Sequence, residues 1–360
     1  MKILHVITSL YIGGAERLLV DLLPLLGDNG NNIVELLLIN GVDTPFKKQF
    51  EGNGIKVTAL SNTNDVYNIR NLLRIRHFLK KHDYDIIHTH NTACQFYVPL
   101  SRKLIKNRRE ALATTEHSSN NRRRDKWWFR PFDKWMYNRY DAIVCIADKA
   151  RQNLEEYIGT RNNIYTISNG VDVGRFMKPI KDISGQSQFV ITMVAGLRIE
   201  KDHETMLKAM THLPENYSLR LVGGGERGNE LKAYTQELGL CQRVMFLGVR
   251  QDVPDILEQS DVVVLSSHWE GLSLSSIEGM SSGRPFVASD VDGLREMVGG
   301  SGVLFKHGDD KDLAEKIQWL CENPDEYKEI AIKCQEKASQ YDISVMARKY
   351  LNLYRTLMLR

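Results

Sequence analysis

Two glutamates, Glu270 and Glu278, flank a short serine-rich stretch, Gly271-Leu-Ser-Leu-Ser275. A carboxylate only accepts hydrogen bonds, and a vicinal diol can donate twice, so the two match well. Glu270, on a loop, can accept hydrogen bonds from hydroxyls, and Glu278, inside a helix, can hold a ribose diol. The apolar run from Asp261 to Leu265 reads as a buried strand ending at Ser266. Ser273 reads as an N-cap, which predicts a helix over 274–282 that stops at Gly283. The N–H groups of Leu274 and Ser275 would then be open to an anion. Gly271 would let the backbone come close to it.

Other segments carry weaker signals. Gly13-Gly14 opens a helix after the first strand, where glycine permits close backbone approach. Glu16 reads as a first-turn residue that complements the helix dipole. His117 follows an apolar strand, at the open end of a sheet, where it can steady a loop. His88 and His90 spell H-x-H, but two ligands on one loop make a poor metal site, so they read as lining or structural residues. Gly223-Gly-Gly225-Glu-Arg-Gly228 spells G-x-G-x-x-G after the second strand of its unit rather than the first. The next strand ends in Gly248 with no acid, which excludes a dinucleotide site. From Arg122 to Arg139, seven cations alternate with six aromatics. Arg122, Arg123, Arg124, Trp127 and Trp128 suit an anionic membrane interface or a lipid-bearing acceptor. A helix with its aromatics packed in the core is the competing reading.

These residues need a scaffold. The chain has 360 residues, 42% apolar and 26% charged, ordinary for a globular protein of about two domains. No apolar run approaches the ~20 residues of a membrane span, and no signal peptide is evident. Five scattered cysteines fit a reducing compartment and argue against a disulfide framework or a zinc site. Residues 1–180 hold 27 basic and 18 acidic side chains; the rest holds 21 and 27. The basic half points to an anionic partner.

Short strands rich in Ile and Val, at 2–8, 32–39, 55–60, 85–88, 111–115, 142–147 and 163–167, alternate with helical patterns. The rhythm breaks over 168–188 in turn residues and restarts with strands at 189–195, 218–222, 243–247, 261–266, 285–288 and 302–305. Alternation of this kind predicts parallel sheets covered by helices. The expected domains are 1–180 and 186–340, with a last helix over 343–360 crossing back to the first. No repeat of ~20–50 residues occurs.

In this context Glu270 and Glu278 form an E-x₇-E pattern, followed by Gly283-Arg-Pro285 and a strand. Gly13-Gly14-Ala15-Glu16, Glu116-His117, Ser168-Asn-Gly-Val-Asp172 and Glu200-Lys201 occur in order before it. The chain thus resembles retaining glycosyltransferases of family 4, along nearly its whole length. The resemblance implies an α/β GT-B fold, two Rossmann-like domains facing across a cleft. It also implies catalytic roles for Glu270, His117 and Lys201. Donor binding would fall to Gly14, Arg198, Lys201, Val249, Glu270, Gly271, Leu272, Ser273, Leu274, Ser275 and Glu278. Lys201 would neutralise a diphosphate. The family usually has an arginine five residues earlier, where this chain has Gly196, so Arg198 is the available helper. The base would rest on Gly248-Val249-Arg250.

The expected reaction moves a sugar from a UDP-sugar to a glycan or polyprenyl-linked saccharide, in the cytoplasm at the inner membrane face. Cations and a helix tip can stabilise the leaving diphosphate, so no metal or other cofactor is expected, and no nucleic acid. The alternatives keep the fold: a nucleotide-sugar epimerase or hydrolase, or an inactive membrane-surface scaffold.

Overall fold

The computed structural model describes residues 1–11, 14–27, 30–42, 44–63, 65–105, 109–117, 126–271 and 273–359. The chain divides into two compact units. One is Met1–Gly170 with Ile343–Arg360, and the other is Val171–Asp342. The divide lies earlier than the expected end of the first domain at 180. Residues 171–180 belong to the second unit because it holds their backbone. Val171 N–H donates to Tyr341 O at 3.0 Å, Gln335 Nε2 to Lys178 O at 2.7 Å and Arg284 Nη1 to Pro179 O at 3.0 Å. Val173 and Phe176 join the second unit's core.

The first unit is built on β1 (Lys2–Ile7), β2 (Ile33–Leu38), β3 (Lys56–Ala59), β4 (Ile86–His90), β5 (Ala111–Glu116), β6 (Ala142–Cys145) and β7 (Ile164–Thr166). They form one parallel sheet in the order β3-β2-β1-β4-β5-β6-β7. Along β1, Ile3 and Ile7 enter one apolar cluster, and Leu4 and Val6 enter another. A strand buried on both faces gains on both, about 1.5–3 kcal/mol for each large apolar side chain. The helix Ile343–Met358 buries Met346, Tyr350, Leu353 and Leu357, a helical stripe, in the first of these clusters.

The second unit has β8 (Phe189–Val194), β9 (Tyr217–Val222), β10 (Val244–Gly248), β11 (Val262–Leu265), β12 (Phe286–Ser289) and β13 (Val303–Phe305). Their order, again all parallel, is β10-β9-β8-β11-β12-β13. In each sheet the order reverses once: between β1 and β4, and between β8 and β11. The loops leaving such a reversal diverge to opposite faces and open a crevice at the strands' carboxyl ends.

Candidate active site

In the second unit, β8 runs through Ala195-Gly-Leu-Arg198 into a 3₁₀ turn, Ile199–Lys201, and then the helix His203–His212. β11 runs into Ser266-Ser267-His268-Trp269-Glu270. Pairing of Val262 with Ile191 and Val263 with Thr192 sets the two exits side by side. The exits are stitched together. Ser266 Oγ donates to Asp202 O at 2.8 Å and His268 N–H to Glu200 O at 2.9 Å. This brings the Lys201 ammonium against Glu270 Oε1, which also accepts from Ser267 Oγ at 2.8 Å. The lysine and glutamate side chains are only 19% and 9% exposed. A cation and an acceptor thus share one sheltered spot, ready for groups of opposite need.

The helix Leu274–Ser281 follows. Ser273 holds the extended cap position, yet its side chain makes no cap bond; Ser273 Oγ pairs with Ser275 Oγ at 3.0 Å instead. The expected cap is therefore correct in place and not in bonding. The N–H groups of Leu274 and Ser275 open the helix and have no intrahelical acceptor. Glu278 is half-buried on this helix. Gly271 is exposed, and Leu272 lies outside the described residues. Gly293 supports this loop. With φ at 84°, a Cβ there would stand 2.5 Å from Glu270 O and 2.7 Å from Gly271 O.

Arg198 points largely into solvent, with its guanidinium 3.8 Å from Glu200. Its Nε passes 3.7 Å from where a Cβ on Gly196 would stand, so it lies beside the spot where an arginine at 196 would begin. Val249 is exposed at the end of β10, and its Cγ2 would be 2.9 Å from a Cβ on Gly224. The glycine loop packs on the β8 exit. Side chains at Gly223 and Gly225 would come within 2.0 Å of Ala195 O and 2.3 Å of Leu197 O. Backbone packing thus accounts for those two glycines.

At the carboxyl ends of β4 and β5 in the first unit, four histidines gather. His117 Nε2 lies 2.8 Å from His90 Nδ1, and His90 Nε2 lies 2.9 Å from His5 Nδ1. His88 sits between Tyr354 OH at 2.6 Å and Thr115 Oγ1 at 2.7 Å. The rings of His5, His88 and His90 stack at 4.7–5.2 Å. Burial lowers His117 to about 4, against the pull of Glu116, and lowers His5 to about 3. It holds His88 and His90 well below the usual range too. All four are neutral at pH 7. With one N–H per ring the chain must run in one direction, so His117 Nδ1 either presents a proton or a lone pair. His88 and His90 are structural residues of this array, tied to the C-terminal helix through Tyr354.

Gly14 begins its helix exposed, and a Cβ placed on it would meet nothing within 4 Å, so no packing within the chain demands glycine there. Burial raises the Glu16 carboxyl despite hydrogen bonds from backbone and Asn91. Asn91 escaped sequence reading. It takes φ 66° as it leaves β4 and donates to Thr8 Oγ1 at 3.1 Å. Ser267 and Gly293 escaped too. An asparagine after His88-Thr-His90 and a glycine before the helix Leu294–Val298 were the available signals.

Arg122, Arg123 and Arg124 lie outside the described residues. Beyond them the basic-aromatic segment divides. Met136 and Tyr137 are buried in the core, whereas Trp127 (80% exposed), Trp128 and Phe132 face out. Phe132 and Trp135 also line an apolar cavity of about 940 Å³ with Tyr67, Phe96, Tyr97 and Leu100. Among the described residues no helix is long and apolar enough to cross a membrane.

Residues 12–175 match the family described as Glycosyltransferase Family 4, and residues 178–338 the family Glycosyl transferases group 1. The chain is 27% identical over 317 residues to the UDP-Gal:alpha-D-GlcNAc-diphosphoundecaprenol alpha-1,3-galactosyltransferase of Escherichia coli, covering 83% of this chain and 81% of that protein. It is 26% identical over 335 residues to the O-antigen biosynthesis glycosyltransferase WbnH of Escherichia coli, covering 92% and 94%. In fold it is similar to Anabaena HepE crystallised in complex with UDP, with a TM-score of 0.84 and 23% identity over 99% of this chain and 100% of that one.

Proposed function

The chain belongs to the family 4 glycosyltransferases, with the two parallel α/β units of their GT-B fold, and from that premise we propose that it transfers a sugar from a UDP-sugar, with retention, to a lipid-linked saccharide. The observation that carries this reading is the sheltered Lys201–Glu270 pair beside the N-terminus of the helix Leu274–Ser281.

Cleaving the bond from the anomeric carbon to the diphosphate oxygen leaves another negative charge on the leaving group. Lys201 and the N–H groups of Leu274 and Ser275 are cationic or dipolar groups fixed in advance, and Arg198 adds a mobile one. Removing one such stabiliser typically costs on the order of 10²–10³ in rate. Before donor binds, Glu270 neutralises Lys201; once phosphate takes the lysine, the carboxylate is released for sugar hydroxyls. Glu278 holds the ribose diol. The acceptor oxygen bonds to the anomeric carbon on the face the diphosphate leaves, and its proton passes to the departing phosphate oxygen. His117, neutral and able to donate from Nδ1, bonds a sugar hydroxyl. The same groups perform each of these steps without a metal ion.

Two observations support a lipid-linked acceptor at a membrane surface: the outward Trp127, Trp128 and Phe132, and the apolar cavity beside them. The galactosyltransferase relative is named for a diphosphoundecaprenol acceptor. Labelled UDP-sugars supplied with a polyprenyl-diphosphate saccharide should give a product whose anomeric proton coupling shows the donor's configuration. An inverted product would refute retention. Hydrolysis or epimerisation unchanged by acceptor would favour the other enzymatic reading.

A further inference from the structure

Three side chains outside the donor reading converge in the second unit. His268 Nδ1 lies 2.8 Å from His307 Nε2 and 3.6 Å from Asp202 Oδ2. One ligand atom from each residue falls within 4.8 Å of the other two. They arrive on separate segments. Asp202 caps the helix His203–His212, His268 is on the β11 exit, and His307 is in the turn after β13. The two histidines are 39 residues apart, so no ligand spacing shows in the sequence.

The donor set is two imidazole nitrogens and a carboxylate oxygen, the set that zinc takes in open sites. At Zn–N distances of about 2.0–2.1 Å, tetrahedral ligand atoms stand roughly 3.3 Å apart. Two of the spacings, 2.8 and 3.6 Å, bracket that value, and the third is no more than 4.8 Å, so an ion could stand between the three with a modest adjustment of the exposed His307. The ligands are also held from behind, as metal ligands usually are. Thr205 Oγ1 donates to Asp202 Oδ2 at 2.6 Å, and Thr205 N–H to Oδ1 at 3.3 Å. The His268 ring stacks on Trp269 at 6.0 Å, which restrains its rotation. Asp202 is buried, whereas His307 is exposed, so an ion has a way in and a water can fill the fourth position.

We propose that Asp202, His268 and His307 bind one divalent ion of the zinc class. The ion takes no part in glycosyl transfer. It clamps together three segments, two of which carry Lys201 and Glu270 next to a ligand. This inference is independent of the donor assignment.

The test uses the full chain, stripped with chelator and carrying Cys241→Ser to remove an exposed thiol. Titration with ZnCl₂ should give one ion per chain and a rise in Tm that chelator reverses. CoCl₂ should give the intense visible bands of low-coordinate Co²⁺. His307→Ala and His268→Ala should each weaken binding at least tenfold, and Asp202→Asn, which keeps the helix cap, should do the same. His212→Ala, at an exposed pair with Asp310, should leave binding unchanged. Undiminished affinity in the His307 and His268 variants, or no uptake by the parent chain, would overturn the proposal. Loss of donor binding with ion uptake intact would count against the donor reading alone.

Discussion

The Lys201 ammonium rests on the Glu270 carboxylate across 69 residues of sequence, because β8 and β11 are neighbours at the point where the sheet order reverses. Ser267 Oγ fixes the same carboxylate oxygen. On the proposed reading, a diphosphate entering there would exchange one anionic partner of the lysine for another.

Lys201→Ala should therefore lower kcat/KM by about 10²–10³, since a fixed cation at the leaving group is lost. It also leaves Glu270 without its cation. Lys201→Ala with Glu270→Gln should lose much less than the sum of the two single changes, because residues in contact are not additive. Steady-state kinetics of the four proteins checks this. Strict additivity would show that the pair does not act as a unit.

Glu278 yields a prediction about the base-side half of the donor. Hydrogen bonds to a charged group contribute about 1.5–3 kcal/mol, or roughly tenfold or more in affinity. Glu278→Ala should weaken UDP binding by that factor and leave 2′,3′-dideoxy-UDP unaffected. Calorimetry on both ligands separates the effects. Equal affinity of the variant and parent for UDP would remove the ribose assignment.

Gly293 shows what sequence reading reaches and what it misses. The E-x₇-E segment and the strand–loop–helix around it were legible, because strand patterning and turn residues are local signals. The alternation of strands and helices likewise indicated two parallel sheets. Residues such as Gly293 and Ser267 act through partners set by the sheet order, which leaves no mark at either position. The Asp202–His268–His307 cluster was hidden for the same reason. The divide between the units falls within the 168–188 stretch that reads as a linker, and residues 171–180 of it go with the second unit because Arg284 and Gln335 bind their carbonyls. Ser273 matched a cap by type, but its hydroxyl found Ser275 instead.

Gly293→Ala forces a Cβ against the carbonyls of Glu270 and Gly271 at a φ that disfavours alanine. The neighbours it meets are backbone atoms, so the loop carrying Glu270 and Gly271 must move. Affinity for UDP-sugar should fall several-fold or more. Gly14→Ala, whose Cβ meets nothing, should leave stability unchanged. Thermal unfolding and donor binding, measured on both, decide this. Normal donor affinity in Gly293→Ala would show that the loop does not depend on this contact.

His203 gives a pH prediction with a definite sign. It is buried, neither ring nitrogen has a partner, and burial lowers it to about 4. The unfolded chain binds its proton below about 6.5, while the folded chain does not until about 4. Stability therefore rises with pH from 4 to 6.5 and is lost as pH falls through that window. At pH 5 the penalty from this one group is about 2 kcal/mol, from 1.36 kcal/mol per unit over the interval. His203→Leu should shrink the stability loss between pH 7 and pH 5 by that amount. Denaturant melts of the chelator-treated parent and variant at both pH values test this, and parallel losses would contradict it.

The outward aromatics predict a surface property. Burying an aromatic side chain in an apolar phase contributes roughly 1.5–3 kcal/mol, and each 1.4 kcal/mol is a factor of ten. Trp127→Ser with Trp128→Ser should thus lower partitioning onto anionic phospholipid vesicles by about tenfold or more. The core is untouched, since neither ring belongs to it; the two rings lie edge to face at 6.1 Å and are largely exposed. Activity on a water-soluble, short-chain acceptor should be unchanged, whereas activity on a long polyprenyl acceptor in vesicles should fall. High salt should weaken binding of the parent chain as well, because cations of the same segment contribute a screened attraction. Vesicle sedimentation with and without anionic lipid measures both effects. If the double variant sediments like the parent, the tryptophans are not membrane anchors, and the neighbouring cavity would need another occupant.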